Sequence, residues 1–306
     1  MTKQVFYFVF ILSCCSPAYS DDDWESTDNE HVLDFTFNPI LKPTELFEWL
    51  VADPTVITIG NEIHMFANEV FHGILHFTAN PASPTNFTKQ DTIIPFPGSV
   101  RPYAHLEEDT LYLFFEQYQL PLFRTSHIML RKAKVFIDLS GHAVLDWEKS
   151  SITILVPELE WEKIGTQRVG NPFVFYSSLQ FEYQMYYSAS SIHLDDSNID
   201  EPIYLGLARS NSLMGPWERV TNDPIPVDET GLLGKEVLGI GSLKLVKSKN
   251  TNSNSTQFIA LCNRITRDSS DYSTGSTIYD SFADSTDHLY FLVYYNGRDN
   301  WRQAVE

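Results

Sequence analysis

Cysteine is scarce in this chain of 306 residues: there are three, and two of them, Cys14 and Cys15, fall within the first twenty positions. If that segment is removed, Cys262 stands alone and no intramolecular disulfide can form, even in an oxidising compartment. Basic side chains are also few, 21 Lys and Arg against 40 Asp and Glu, for a net charge of −19. That balance argues against nucleic acid or anionic membrane as a partner, since both require a basic surface. It is compatible with a neutral ligand such as a sugar. Helical periodicity is missing as well, and only "PTELFEWL" near residue 45 reads as a brief helix. There is no Walker loop, nucleophile elbow or paired-cysteine zinc pattern. Gly239-x-Gly241 leads into strand alternation rather than a helix, which sets aside a dinucleotide fingerprint. His72 and His76 are four apart, a spacing that helps a metal site only on a helix, and here it straddles a hairpin turn. No metal and no cofactor are expected.

The N-terminus has the layout of a cleaved secretory signal over residues 1–20: Lys3, an apolar stretch from Val5 to Leu12, then Ala18-Tyr19-Ser20 ahead of a run of aspartates. It is too short to span a membrane, so no stable membrane insertion is expected after its removal. Loss of Lys3 takes the net charge to −20, from 40 acidic and 20 basic residues. Residues 21–37, with "DDDWESTDNE", read as a flexible acidic leader. The remainder, 38–306, reads as one domain, and a composition that is 43% apolar can supply its core without disulfides. Asn86-Phe87-Thr88 and Asn254-Ser255-Thr256 are glycosylation acceptors in polar loop sequence. With the signal they predict a secreted glycoprotein. The polar insert 247–257 reads as a long hairpin loop.

Within the domain, one pattern returns. "VADPTVITIGNEIHMF", "VRPYAHLEEDTLYLFFEQY", "VGNPFVFYSSLQFEYQMYYSAS" and, more weakly, "LGIGSLKLVKSKN…TQFIALCNR" each read as strand, polar turn, strand. Each is followed by another apolar strand, a turn and an aromatic: Phe87, Trp147, Trp217 and Trp301. Two hairpins per unit make a four-stranded antiparallel blade, and blades repeated radially make an all-β propeller. The aromatics are expected to pack between blades rather than to act as sugar platforms. Four units account for residues 53–306, and the last ends on "GRDNWRQAVE" inside what should be its outer hairpin. Either "VLDFTFNPILKPTE" closes the ring, or the chain is truncated.

In a propeller the first residues of each innermost strand gather at one mouth of the central channel. Here these are Asp53, Arg101, Asn171 and, just before the fourth unit, Glu236. An Asp and a Glu facing each other across a pocket are what inverting glycoside hydrolysis needs, one to activate water and one to protonate the leaving oxygen. Glu116, ending the apolar strand "YLFFEQ", is an alternative acid, because a charge there needs a reason. Glu69 is a third choice. Asp before Pro also simply starts turns, since Pro holds the preceding residue extended.

The segments "ADPTVITIGNEIHMF", "GNPFVFYSSLQFEYQMYYSAS" and "IYLGLARSNSLMGPW" resemble the blade starts and the "A-x-S…GPW" strand of the five-bladed propeller glycosidases of glycoside hydrolase family 43, with the fructan-hydrolysing families as more distant relatives. The resemblance runs from about residue 38 to the C-terminus. It implies a five-bladed propeller and a secreted glycoside hydrolase acting on pentose- or fructose-containing glycans. It further implies Asp53 as general base, position 171 as the residue that tunes the acid, and Glu236 as general acid. Arg101, Arg168, Asn171 and Glu69 are the expected substrate-side neighbours. Two positions depart from the pattern: Asn171 replaces an Asp, and "GKEVLGIGS" lacks the usual Glu-Gly-Pro. A carbohydrate-binding propeller without catalysis is therefore the alternative.

Overall fold

The computed structural model describes residues 51–69, 72–121, 123–177, 180–194, 199–225, 236–249, 256–268, 271–283 and 289–295, with backbone only beyond residue 235. The expected signal, the acidic leader, the brief helix near residue 45, Asn254 and Trp301 lie outside the described residues, as does any fifth blade.

The first blade is the meander β1 (Val51–Ile59), β2 (Glu62–Glu69), β3 (Gly73–Ala79) and β4 (Thr88–Ile94). The second is β5 (Ser99–Glu107), β6 (Thr110–Tyr118) and the long β7 (Thr125–Ile137), whose far edge is shared by β8 (Ala143–Trp147) and β9 (Ile152–Leu155). Blade three is β10 (Gln167–Ser177), β11 (Glu182–Ala189), β14 (Tyr204–Ser210) and β15 (Glu218–Arg219). Between β11 and β14 is inserted a two-stranded ribbon, β12 (Ile192–Leu194) with β13 (Ile199–Glu201), which the repeat pattern did not predict. Blade four is β16 (Glu236–Lys249), β17 (Thr256–Asp268), β18 (Asp271–Ala283) and β19 (Leu289–Tyr295).

The first strands of successive blades lie against one another, β1 with β5, β5 with β10 and β10 with β16. That is the radial arrangement of a propeller, and helix is limited to a single 3-10 turn, Glu160–Lys163, among the described residues. One expectation is corrected: the fourth sheet already has its four strands by Tyr295, because "DYSTGSTIYDSFA" forms the third of them. The insert at 247–257 joins β16 to β17, with Lys249 paired to Thr256, and residues 250–255 between them lie outside the described residues.

Side chains on both faces of the middle strand β6 are buried between neighbouring blades. From β6, Leu111, Leu113 and Phe115 face a cluster with Phe66, Ile74 and Ile94 of blade one, while Phe114 joins Val174, Met185 and Tyr187 of blade three. An unbroken "LYLFF" run is what a strand apolar on both faces requires. Two of the aromatics expected at the blade tails pack between blades, Trp147 edge-on to Phe66 and Trp217 edge-on to Phe114, with ring centroids 5.8 Å and 6.3 Å apart, whereas Phe87 packs within blade one against the cluster of Met65, Ala67, Leu75 and Phe77.

Candidate functional site

Each of the three inner strands whose side chains are described carries a bulge at its X-Pro step. Pairing shifts between Ala52 and Thr55, between Val100 and Tyr103, and between Gly170 and Phe173. The residues before the prolines, Asp53, Arg101 and Asn171, have φ of 49°, 53° and 48°. This corrects the expectation of extended backbone before proline: an extra residue in the ladder turns the chain through the left-handed region. The conformation costs about 1–2 kcal/mol per non-glycine residue, and its threefold recurrence marks one end of the ring as a place where side chains are re-aimed.

A buried polar position on the second strand faces each bulge. Asn68 is opposite Ala52, Glu116 opposite Val100, and Ser188 opposite Gly170. Asn68 Oδ1 accepts the backbone N–H of Arg101 at 2.9 Å, joining blade one to the bulge of blade two. Ala104 N–H likewise donates to Thr55 Oγ1 at 3.2 Å.

Glu116 is the centre of this belt and is fully buried. It lies two residues beyond Phe114, so it shares the face of β6 that meets blade three. From there Arg168 reaches it with Nε to Oε1 at 2.8 Å and Nη2 to Oε2 at 3.1 Å. Ser126 Oγ donates to Oε1 at 2.8 Å, and Arg101 Nη1 donates to Oε2 at 3.1 Å and to the Tyr118 hydroxyl at 3.3 Å. Gly170 closes the pocket, since a Cβ there would sit 1.9 Å from Glu116 Oε2. Burial opposes the charge on Glu116, but the two guanidinium groups outweigh it and hold the carboxyl below its ordinary value. This is the setting of a charged anchor, and it does not supply what a proton donor needs. One polar atom of the cluster is left over: Arg168 Nη1 is buried without a hydrogen-bond partner.

Of the other expected residues, Asp53 is exposed and Arg101 half-buried, and each lies within electrostatic reach of the other. Glu69 does not belong to the belt. Its register partner is Val51, and its Oε2 accepts both the backbone N–H and the imidazole Nδ1 of His72, at 2.7 Å and 2.6 Å, fixing a turn. Glu236 is the first residue of β16, opposite Arg267, and its side chain lies outside the described residues. Asn86 is exposed in the β3–β4 connection. His76 pairs with His64 inside blade one, Nε2 to Nδ1 at 2.9 Å, and burial lowers its pKa to about 4. No group of three or more metal-ligating side chains is found among the described residues.

Sequence reasoning missed Glu201, at the end of β13. It is half-buried and within electrostatic reach of Arg101, Arg168, Asp53 and Glu116. Its only sequence signal is a Glu-Pro step that echoes the other X-Pro steps.

Fold and site together define a β-propeller with charged and polar groups gathered where the inner strands of three neighbouring blades begin. No family model and no curated protein matches the chain. Solved structures to which it is similar include an α-L-arabinofuranosidase from Lactobacillus brevis, at 13% identity, covering 81% of this chain and 96% of that one, TM-score 0.43. A thermostable family-43 glycoside hydrolase is at 13%, 81%, 94% and 0.39, and a family-43 endo-arabinanase from Bacillus licheniformis at 15%, 78%, 96% and 0.37. With likeness this distant, function has to be argued from the site itself.

Proposed function

We propose that this chain is a secreted glycoside hydrolase acting on pentose- or fructose-containing glycans by direct displacement with inversion. The observation that carries the reading is the recurrence of the left-handed X-Pro bulge at one end of three neighbouring inner strands, which sets Asp53, Arg101 and Asn171 in equivalent places. In this reading Asp53 takes a proton from water as the water oxygen bonds to the anomeric carbon. The glycosidic C–O bond breaks, and its oxygen takes a proton from a second carboxyl. Arg101, beside Asp53, counters its charge, while the Glu116–Arg168 pair holds Arg101 in place. Blade order nominates Glu236 as the second carboxyl. Secretion, and glycosylation at Asn86 and Asn254, belong to the same proposal and rest on the N-terminal pattern and the acceptor tripeptides.

The amide at Asn171 favours a second reading, a propeller that binds carbohydrate without cleaving it, because an amide cannot raise a neighbouring acid's pKa by like-charge repulsion. Release of reducing sugar from arabinan, xylan and inulin separates the two. The hydrolase reading expects turnover by the wild type and a loss of about 10²–10⁴-fold in Asp53→Asn. Binding of these glycans without turnover would establish the second reading instead.

A further inference from the structure

The ribbon inserted in blade three is rooted on the charged belt. Ser190, two residues before β12, donates its backbone N–H to the carbonyl oxygen of Arg168 at 3.2 Å, and its hydroxyl to the carbonyl of Trp161 at 2.5 Å. Ser191 donates its N–H to the carbonyl of Ile164 at 3.1 Å, and its hydroxyl pairs with that of Thr166 at 2.8 Å. Glu201 is opposite Ile192, the first residue of the ribbon, so it sits at this fixed root rather than at the tip. The chain beyond it is also held, since Pro202 and Ile203 are buried. Four strands of three blades bring charges to it: Asp53 from β1, Arg101 from β5, Glu116 from β6 and Arg168 from β10. Glu116 already spends its oxygens on Arg168, Arg101 and Ser126.

We propose that Glu201 is a further catalytic residue of this mouth, the carboxyl that meets the departing glycosidic oxygen while Asp53 meets the water. The inference rests on the glycosidase reading and gives the acid's place to a residue of blade three rather than to Glu236. Its surroundings suit the task. Burial raises the Glu201 pKa, and Asp53 and Glu116 add to that rise against the opposing pull of Arg101 and Arg168. In the step itself the Glu201 O–H proton passes to the leaving oxygen as the C–O bond breaks, and the proton of the attacking water passes to Asp53, so the enzyme ends with its two carboxyl protonation states exchanged until solvent restores them.

The test uses the full chain labelled with ¹³C at glutamate carboxyls, with Glu201→Gln to assign the resonance. Glu201 is expected to titrate above the exposed glutamates, and its midpoint is expected to fall in Asp53→Asn. An ordinary midpoint that Asp53→Asn leaves in place would overturn the proposal. Kinetics form the second arm, with arabinotriose, xylotriose and 1-kestose set against 4-nitrophenyl α-L-arabinofuranoside and β-D-xylopyranoside. Loss of the donor should cost about 10²–10⁴-fold on the sugar leaving groups and far less on nitrophenolate, which leaves without a proton. Glu201→Asp should restore part of the difference. The same leaving-group signature in Glu236→Gln, and not in Glu201→Gln, would return the role to Glu236. Coupled titration without turnover of any of these probes would overturn the glycosidase reading and the donor role with it.

Discussion

Among the described residues, two arginine–glutamate pairs have fully buried carboxylates, and they are built differently. In the outer pair, Arg219 of β15, the outermost strand of blade three, meets Glu162 of the 3-10 turn, which is fully buried, and every polar atom of the pair is used. Its Oε1 accepts from the Tyr187 hydroxyl at 2.8 Å and Arg219 Nε at 2.7 Å, and its Oε2 from Arg219 Nη2 at 2.8 Å and the backbone N–H groups of Glu158 and Leu159 at 2.7 Å and 3.0 Å. Arg219 also donates Nη1 to Glu158 at 2.9 Å and Nη2 to the carbonyl of Val156 at 2.6 Å. The inner pair, Glu116 with Arg168, leaves Arg168 Nη1 without a partner and adds a second guanidinium, from Arg101, to the same carboxylate. A closed set of bonds suits a clamp that fastens a loop to a blade. An inner set with a spare donor and surplus positive charge lies within electrostatic reach of the Glu201 carboxyl.

Removing the charge from the inner pair should have the largest effect on stability. Glu116→Gln leaves Arg168 buried without its counterion and is expected to cost about 3–5 kcal/mol, read from the denaturant midpoint. Its pH dependence sharpens the point. Because the folded-state pKa of Glu116 is lowered, its stabilisation is complete above the ordinary glutamate value and is lost as pH falls through the lowered one. Acid sensitivity should therefore be weaker in Glu116→Gln than in the wild type. If the two respond alike to acid, the inner pair is not the electrostatic anchor described here.

A smaller loss is expected at the outer pair. Tyr187→Phe removes one hydrogen bond to a charged acceptor, for about 1.5–3 kcal/mol, and should leave the Glu201 titration midpoint unmoved. A shift in that midpoint would mean that the two pairs are coupled through β10 and β11, and the contrast between them would fail.

The smallest effect on stability is expected at Asp53. It is exposed, and Asn tolerates the left-handed conformation well, so Asp53→Asn should change stability by within about 0.5 kcal/mol. A change well above 1 kcal/mol by thermal unfolding would make Asp53 a structural residue of its bulge, and any loss of turnover in that variant would lose its meaning.

Much of the fold was legible because a propeller writes each blade locally. The four strand-turn-strand units, the apolar run of β6 with both faces covered, and the inter-blade place of Trp147 and Trp217 follow from patterns of a few dozen residues. The X-Pro steps marked where the inner strands begin, and Glu116 declared itself as a charge at the end of an apolar strand. What it does there was not legible. Whether it donates a proton or anchors two arginines depends on Arg168, which is 52 residues away and reaches it only because β10 lies beside blade two. Glu69, similarly placed in the sequence, is one residue off the belt and turns to His72. Local pattern thus determined the strands and the blades, because these depend on side-chain alternation along a single strand. The left-handed turn at each proline, the fate of each carboxylate and the place of Glu201 were decided by the tertiary structure alone, because charge and burial at one residue are set by groups that distant blades bring within a few ångströms of it.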